Sequence, residues 1–157
     1  SSKEGAVIHD ILNIVYRRAP YVKINIKHSL VQGSRACDHI VHAIKEINKV
    51  KILDLIIIGR GGGSLEDLMP FNDELVVREI FKSKIPIITA IGHESDFTLS
   101  DFVSDKRAAT PSEAAEICAP DIESLYKKID SFEDKILSIL NCSRFFGTEI
   151  FTFPLDT

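Results

Sequence analysis

The chain has 157 residues, 19 basic and 23 acidic, for a formal net charge of −4, with 45% hydrophobic and 27% charged residues. This is one domain's worth of ordinary globular sequence, which excludes long disorder and a charge-driven nucleic-acid wrapper of positive net charge. No apolar run approaches the roughly 18–20 residues needed to span a bilayer, and no signal-peptide pattern opens the chain. Cys37, Cys118 and Cys142 lie far apart without Cys-x-x-Cys spacing, so reduced thiols and a cytoplasmic protein are expected.

In chain order, Ala6 to Arg18 carries a helical apolar stripe (Val7, Ile8, Ile11, Leu12, Ile14, Val15) that Ala19-Pro20 stops. Val22 to Lys27 alternates with period two and predicts a strand with one wet face. Ser34 to Lys49 predicts a helix, and Leu53 to Ile58 a strand buried on both faces of a parallel sheet. After Gly59 to Ser64 a helical stretch begins at Leu65, breaks at Met69-Pro70 and resumes from about Asn72 to Ser83. Ile85 to Ile91 is a second buried strand, with Pro86 near its start, where a missing donor is tolerable. Short helices follow at Thr98–Val103, which takes in Asp101, and at Pro111–Ala119, where Thr110, Pro111 and Glu113 form a capping signature. Asp121 to about Arg144 is a longer amphipathic helix through Ile122, Leu125, Ile129, Phe132, Ile136 and Ile139. Strands alternating with helices predict an α/β fold with a mostly parallel sheet flanked by helices, in Rossmann-like or flavodoxin-like layers.

In such sheets ligands gather beyond the carboxyl ends of the strands. Both buried strands end in unusual segments, Gly59 to Ser64 and Gly92-His93-Glu94-Ser95-Asp96. The glycine run is neither a dinucleotide fingerprint nor a Walker loop, since Ser64 stands where a final glycine would be needed and no Gly-Lys-Ser/Thr follows. Gly61, Gly62 and Gly63 nevertheless allow backbone N–H groups close to an anion, Ser64 would cap the next helix, and Arg60 adds a planar cation suited to phosphate. The alternative is a tight turn with Arg60 paired to an acid such as Glu66. His93 can move protons near neutral pH and Asp96 can fix its tautomer; alternatively both merely cap the strand end. Asp10 lies on the first helix, either solvated or facing the same edge. Lys106 and Arg107 are phosphate contacts or plain surface charge. His39 and His42 read as a solvated face rather than metal ligands, and His9 as surface.

The runs Gly59-Arg60-Gly61-Gly62-Gly63-Ser64-Leu65-Glu66-Asp67-Leu68, Phe71-Asn72-Asp73-Glu74, Gly92 to Asp96, and Asp105-Lys106-Arg107-Ala108-Ala109-Thr110-Pro111-Ser112-Glu113 closely resemble the catalytic domain of the exodeoxyribonuclease VII large subunit. Gly5 to Leu12 resembles that domain's first helix, and the resemblance extends to about Pro120. Ser95 stands where threonine is expected. The resemblance implies an exonuclease that degrades single-stranded DNA from both ends to oligonucleotides, joined by several copies of a small helical subunit. It places the catalytic residues on Asp10, Arg60, His93 and Asp96. It implies no strict need for a divalent metal; magnesium is compatible but not indicated by any residue pattern.

By the same resemblance, residues 1–120 are a catalytic α/β domain without its first strand, 121–144 begin a helical extension that leads toward a coiled coil, and 145–157 are an unassigned tail. An intact large subunit would also carry an N-terminal oligonucleotide-binding fold. The chain is thus expected to be a fragment with reduced or no activity alone. In the expected mechanism, Arg60 and the glycine-loop amides stabilise phosphoryl charge, His93 moves a proton, Asp96 orients His93, and Asp10 positions water or the imidazole. The alternative function is a nucleotide- or phosphate-binding α/β module that does not hydrolyse.

Overall fold

The computed structural model describes residues 6–61, 65–92 and 95–146, without the side chains of residues 6, 65 and 142–146. The chain divides into two units, Ser1–Pro120 and Asp121–Thr157. In the first, helix α1 (Ala6–Arg18) and helix α2 (Ala36–Ile47) precede strand β1 (Ile56–Gly59). A 3₁₀ segment (Leu65–Asn72) leads to helix α3 (Glu74–Phe81) and strand β2 (Ile87–Ala90). Helix α4 (Leu99–Val103), strand β3 (Lys106–Arg107) and helix α5 (Pro111–Cys118) complete the unit.

Among the described residues the sheet has three strands in the order β1-β2-β3, all parallel. Ile56 pairs with Ile87 and Gly59 with Ala90, so β1 and β2 end level at one edge. The continuous apolar runs are explained by two covered faces. Ile56, Ile87 and Ile91 enter a core with Ile40 and Ile44 of α2, Val76 and Ile80 of α3, and Phe71. Ile88, Ala90 and Ile57 face Ala114 and Cys118 of α5. Behind α5, Val15 and Ala19 of α1 pack against Ala115 and Ala119, and Arg18 Nε donates to the Ala119 carbonyl at 3.0 Å.

Three local expectations change. Val22 to Lys27 joins no ladder among the described residues. Its alternation has another cause: Val22 and Ile24 pack on the α1–α5 cluster while the intervening side chains face outward. Period two reports a buried side, and a ladder is a separate requirement. Between Lys27, Ser29 and Val31 and the outer edge of β1 runs a groove of about 90 Å³, floored by Ile40, Ala43, Ile44 and Ile47. Second, the stretch from Leu65 is a 3₁₀ helix that runs through Pro70. The proline removes a donor, and the tighter winding still buries Leu68 and Phe71. Asp73 then caps α3, accepting from the Leu75 N–H at 2.8 Å. Third, Lys106–Arg107 is a strand, too short and too charged to show a period.

The second unit is described from helix α6 (Ile122–Phe146). Its apolar residues Leu125, Ile129, Phe132, Ile136 and Ile139 recur at alternating spacings of four and three, and all are exposed, the pattern of a coiled-coil seam. No described helix is long and apolar enough to cross a membrane.

Candidate active site

Parallel strands that end level send their following segments off the same sheet edge. Arg60 extends the ladder by one rung, its N–H donating to the Ala90 carbonyl at 2.9 Å. Its side chain turns inward and is only 4% exposed. Nη2 meets Asp67 Oδ2 at 2.8 Å, so the acid that pairs with Arg60 is Asp67 and not Glu66, which is exposed. The 3₁₀ winding decides between these neighbours, since it sets which carboxylate faces back toward β1. Arg60 Nη1 is buried and has no hydrogen-bond partner among the described residues. A guanidinium held under the sheet edge with one orphaned nitrogen retains donor capacity for an anion.

The segment after β2 folds back tightly. A Cβ on Gly92 would stand 2.3 Å from the Asp96 carbonyl oxygen and 3.0 Å from Asp96 Cβ. Only glycine leaves room there, and this close approach returns Asp96 to the end of β2. Arg107 Nη2 donates to the Asp96 carbonyl at 3.4 Å, and its guanidinium carbon lies 3.9 Å from the centre of the Phe97 ring. The Thr89–Arg107 register and the 2.8 Å bond from the Ala108 N–H to the Thr89 carbonyl hold β3 in position for these contacts. Lys106 is exposed.

Helix α1 begins over the same edge: Cβ atoms on Gly59 and Gly61 would meet Val7 at 3.5 and 2.9 Å. Asp10, one turn beyond Val7, is exposed. The structure thus carries Arg60, Gly61 and Asp96 off the same side of the sheet, with Arg107 against the Asp96 segment, while Asp10 remains an exposed residue of α1 outside that group. Gly62, Gly63, Ser64 and His93 lie outside the described residues. Among the described residues no three His, Cys, Asp or Glu side chains are grouped to hold a metal ion.

Two functional candidates escape the sequence. Asp67 is one of two adjacent acids, and only the helix phase separates them. Phe97 sits in a loop, where an apolar residue gives no periodic signal; its position directly after Asp96 is the one available hint. Nearby, Asp101 closes the start of α4, with Oδ2 accepting from both the Thr98 N–H and the Thr98 hydroxyl at 2.8 Å. Asp105 closes the start of β2, accepting from the Ile87 N–H at 2.8 Å. These two acids are structural. Burial raises the thiol pKa of Cys118, and that of Cys37 rises through burial and the nearby negative charge of Asp73, so neither is an activated nucleophile.

The chain is similar to known proteins. The chain is 54% identical to the Exodeoxyribonuclease 7 large subunit of Clostridium tetani over 136 residues, which cover 87% of this chain and 34% of that protein. It is 50% identical over 140 residues to the protein of the same name from Caldanaerobacter subterraneus subsp. tengcongensis, covering 89% and 35%. For Syntrophomonas wolfei subsp. wolfei the figures are 45% over 150 residues, 96% and 37%. The chain therefore spans about a third of the length of these relatives. The family model described as "Exonuclease VII, large subunit" matches residues 1–143, and the chain, with Arg60 and Asp96 carried off one edge of its parallel sheet, belongs to that family.

Proposed function

We propose that this chain carries the hydrolytic site of an exodeoxyribonuclease that cleaves phosphodiester bonds of single-stranded DNA from both ends, releasing oligonucleotides. The observation that carries the reading is the buried Arg60 with its unpartnered Nη1, anchored by Asp67 at the sheet edge where the Asp96 segment also ends. A fixed guanidinium stabilises charge that grows on phosphoryl oxygens, because its donors need no reorganisation as the charge develops. In this reading Gly61, Gly62, Gly63 and Ser64 lend backbone N–H groups, and Lys106 and Arg107 attract flanking phosphates. His93 transfers a proton to the leaving oxygen or from water, Asp96 orients His93, and Asp10 positions water. The names of the relatives support a DNA substrate and a small-subunit partner. The exposed seam of α6 is the surface suited to that helical partner. Reaction on DNA with free thiols at Cys37 and Cys118 fits the cytoplasm.

The test uses the chain assembled with its small subunit and end-labelled single-stranded DNA. His93→Ala should lower turnover about 10²–10⁴-fold with DNA binding nearly intact, since proton transfer acts mainly in the transition state. Arg60→Lys should fail as well, because an ammonium lacks the planar fork. Wild-type binding without cleavage, with the remaining length of the relatives also supplied, would instead establish the non-hydrolytic phosphate-binding module.

A further inference from the structure

We propose that Phe97 and Phe102 form a platform on which unpaired DNA bases stack, next to the phosphate site at the Arg60 edge; the substrate class rests on the reading above. Both rings are exposed. Phe97 is 56% and Phe102 73% exposed, and neither belongs to a core cluster of the first unit. Their centroids are 6.0 Å apart with a tilt of 31°, so they form a pair of neighbouring flat apolar surfaces.

The pair is also held in place. Arg107 lies over the Phe97 ring and bonds the Asp96 carbonyl, with its own backbone fixed in β3. Phe102 rides on α4, whose first turn is locked by the Thr98–Asp101 capping box and by the 2.7 Å bond from the Leu99 N–H to Asn72. A ring ordered before its ligand arrives loses little freedom on binding.

The chemistry selects the ligand. A cation lying against an exposed aromatic ring, with a second exposed ring beside it, suits single-stranded nucleic acid, where every base offers a π-face and every linkage a negative charge. Phe97 directly follows Asp96, so a base on this platform belongs to a nucleotide adjoining the bond at the candidate site. Paired DNA keeps its bases within the duplex stack. The platform therefore supplies a physical reason for preferring single strands, which the phosphate-binding residues alone do not.

The sequence contains no tryptophan, which gives a direct probe. Phe102→Trp introduces the chain's single tryptophan at the platform, and Phe81→Trp places one at another exposed phenylalanine, on α3. Oligothymidylate should quench the first saturably and the second little, while an abasic oligonucleotide of equal length, with the same phosphates, should quench neither. Phe102→Ala should weaken oligothymidylate binding about 5- to 150-fold and leave abasic binding unchanged, with Phe102→Tyr restoring most of the loss. Equal quenching by the two oligonucleotides, or wild-type affinity in Phe102→Ala, overturns the platform and leaves the hydrolytic reading intact. Base-dependent quenching without cleavage by the assembled wild type does the reverse. No binding by the wild type overturns both.

Discussion

Arg60 is the residue on which stability and the proposed function meet. Its guanidinium is almost wholly buried, whereas the Asp67 side chain is 34% exposed, so solvent screens part of the pair's attraction. Asp67→Ala leaves a buried cation without its partner and should cost about 2 kcal/mol, below the roughly 3–5 kcal/mol of a fully buried pair. Arg60→Met removes the charge and keeps much of the volume, and should cost less than half as much in urea unfolding. Equal losses would mean that packing, not charge, dominates the site. Glycines sort by what stands opposite them. Gly92→Ala drives a methyl into a backbone carbonyl and should destabilise by about 1–3 kcal/mol while displacing Asp96. Gly61→Ala meets a Val7 methyl at 2.9 Å, and because a β-branched side chain on a helix has little rotamer freedom it should cost about 1 kcal/mol or more. The Cys118 thiol, which donates to the Ala115 carbonyl at 3.2 Å, should react with disulfide reagents at pH 8 more slowly in the native protein than in denaturant, because burial raises its folded pKa. The unfolded thiol ionises first, so the associated stability is complete at low pH and falls as pH climbs past about 8.5.

At the scale of elements, caps and edges decide what the apolar pattern leaves open. The Thr110 hydroxyl accepts from the Glu113 N–H at 3.1 Å, while the Glu113 carboxylate reaches back one residue further than a capping box requires, to the Ala109 N–H at 2.6 Å. Thr110→Ala should lower stability by about 1 kcal/mol. Asp101→Ala removes two bonds at a buried cap and should cost more, with α4 losing protection before the rest of the fold. In β1, Ile56 and Arg60 donate toward β2, so ladder alternation turns the N–H groups of Ile57 and Gly59 to the side where no strand lies among the described residues. Hydrogen exchange should be faster at Ile57 and Gly59 than at Ile56. The alternation of Val22 to Lys27 is legible in sequence, while its lack of a ladder among the described residues is not.

For the whole molecule, charge sets the expectation for DNA. The net charge is −4, and among the described residues the cations assigned to the proposed site are Arg60, Lys106 and Arg107. Arg60 is already paired with Asp67, and Arg107 is placed over Phe97. At about −0.7 per phosphate for single strands, three contacts give a log–log salt slope near −2 at most. The 157-residue chain by itself should therefore bind single strands weakly at physiological salt and digest them little, and activity should rise when the small subunit and the remaining length of the relatives are supplied. Binding near 10⁻⁸ M under those conditions would contradict this, since complete specific interfaces reach that range.

The amino-acid sequence by itself determined the layered α/β class, because short apolar runs such as Leu53 to Ile58 and Ile85 to Ile91, alternating with amphipathic helical stretches, fit a parallel sheet covered on both faces. It also marked the segments after β1 and β2, since glycine runs and a His–Asp spacing are local signals that need no partner to be seen. Tertiary structure decided what depends on residues far apart in the chain. It joined Arg60 to Asp67 through the phase of a 3₁₀ turn and recruited Lys106–Arg107 as a strand. It also seated Arg107 on Phe97 and left Val22 to Lys27 without a ladder among the described residues. Each of these outcomes is set by neighbours brought close only when the chain closes on itself, and periodicity along the chain does not encode them.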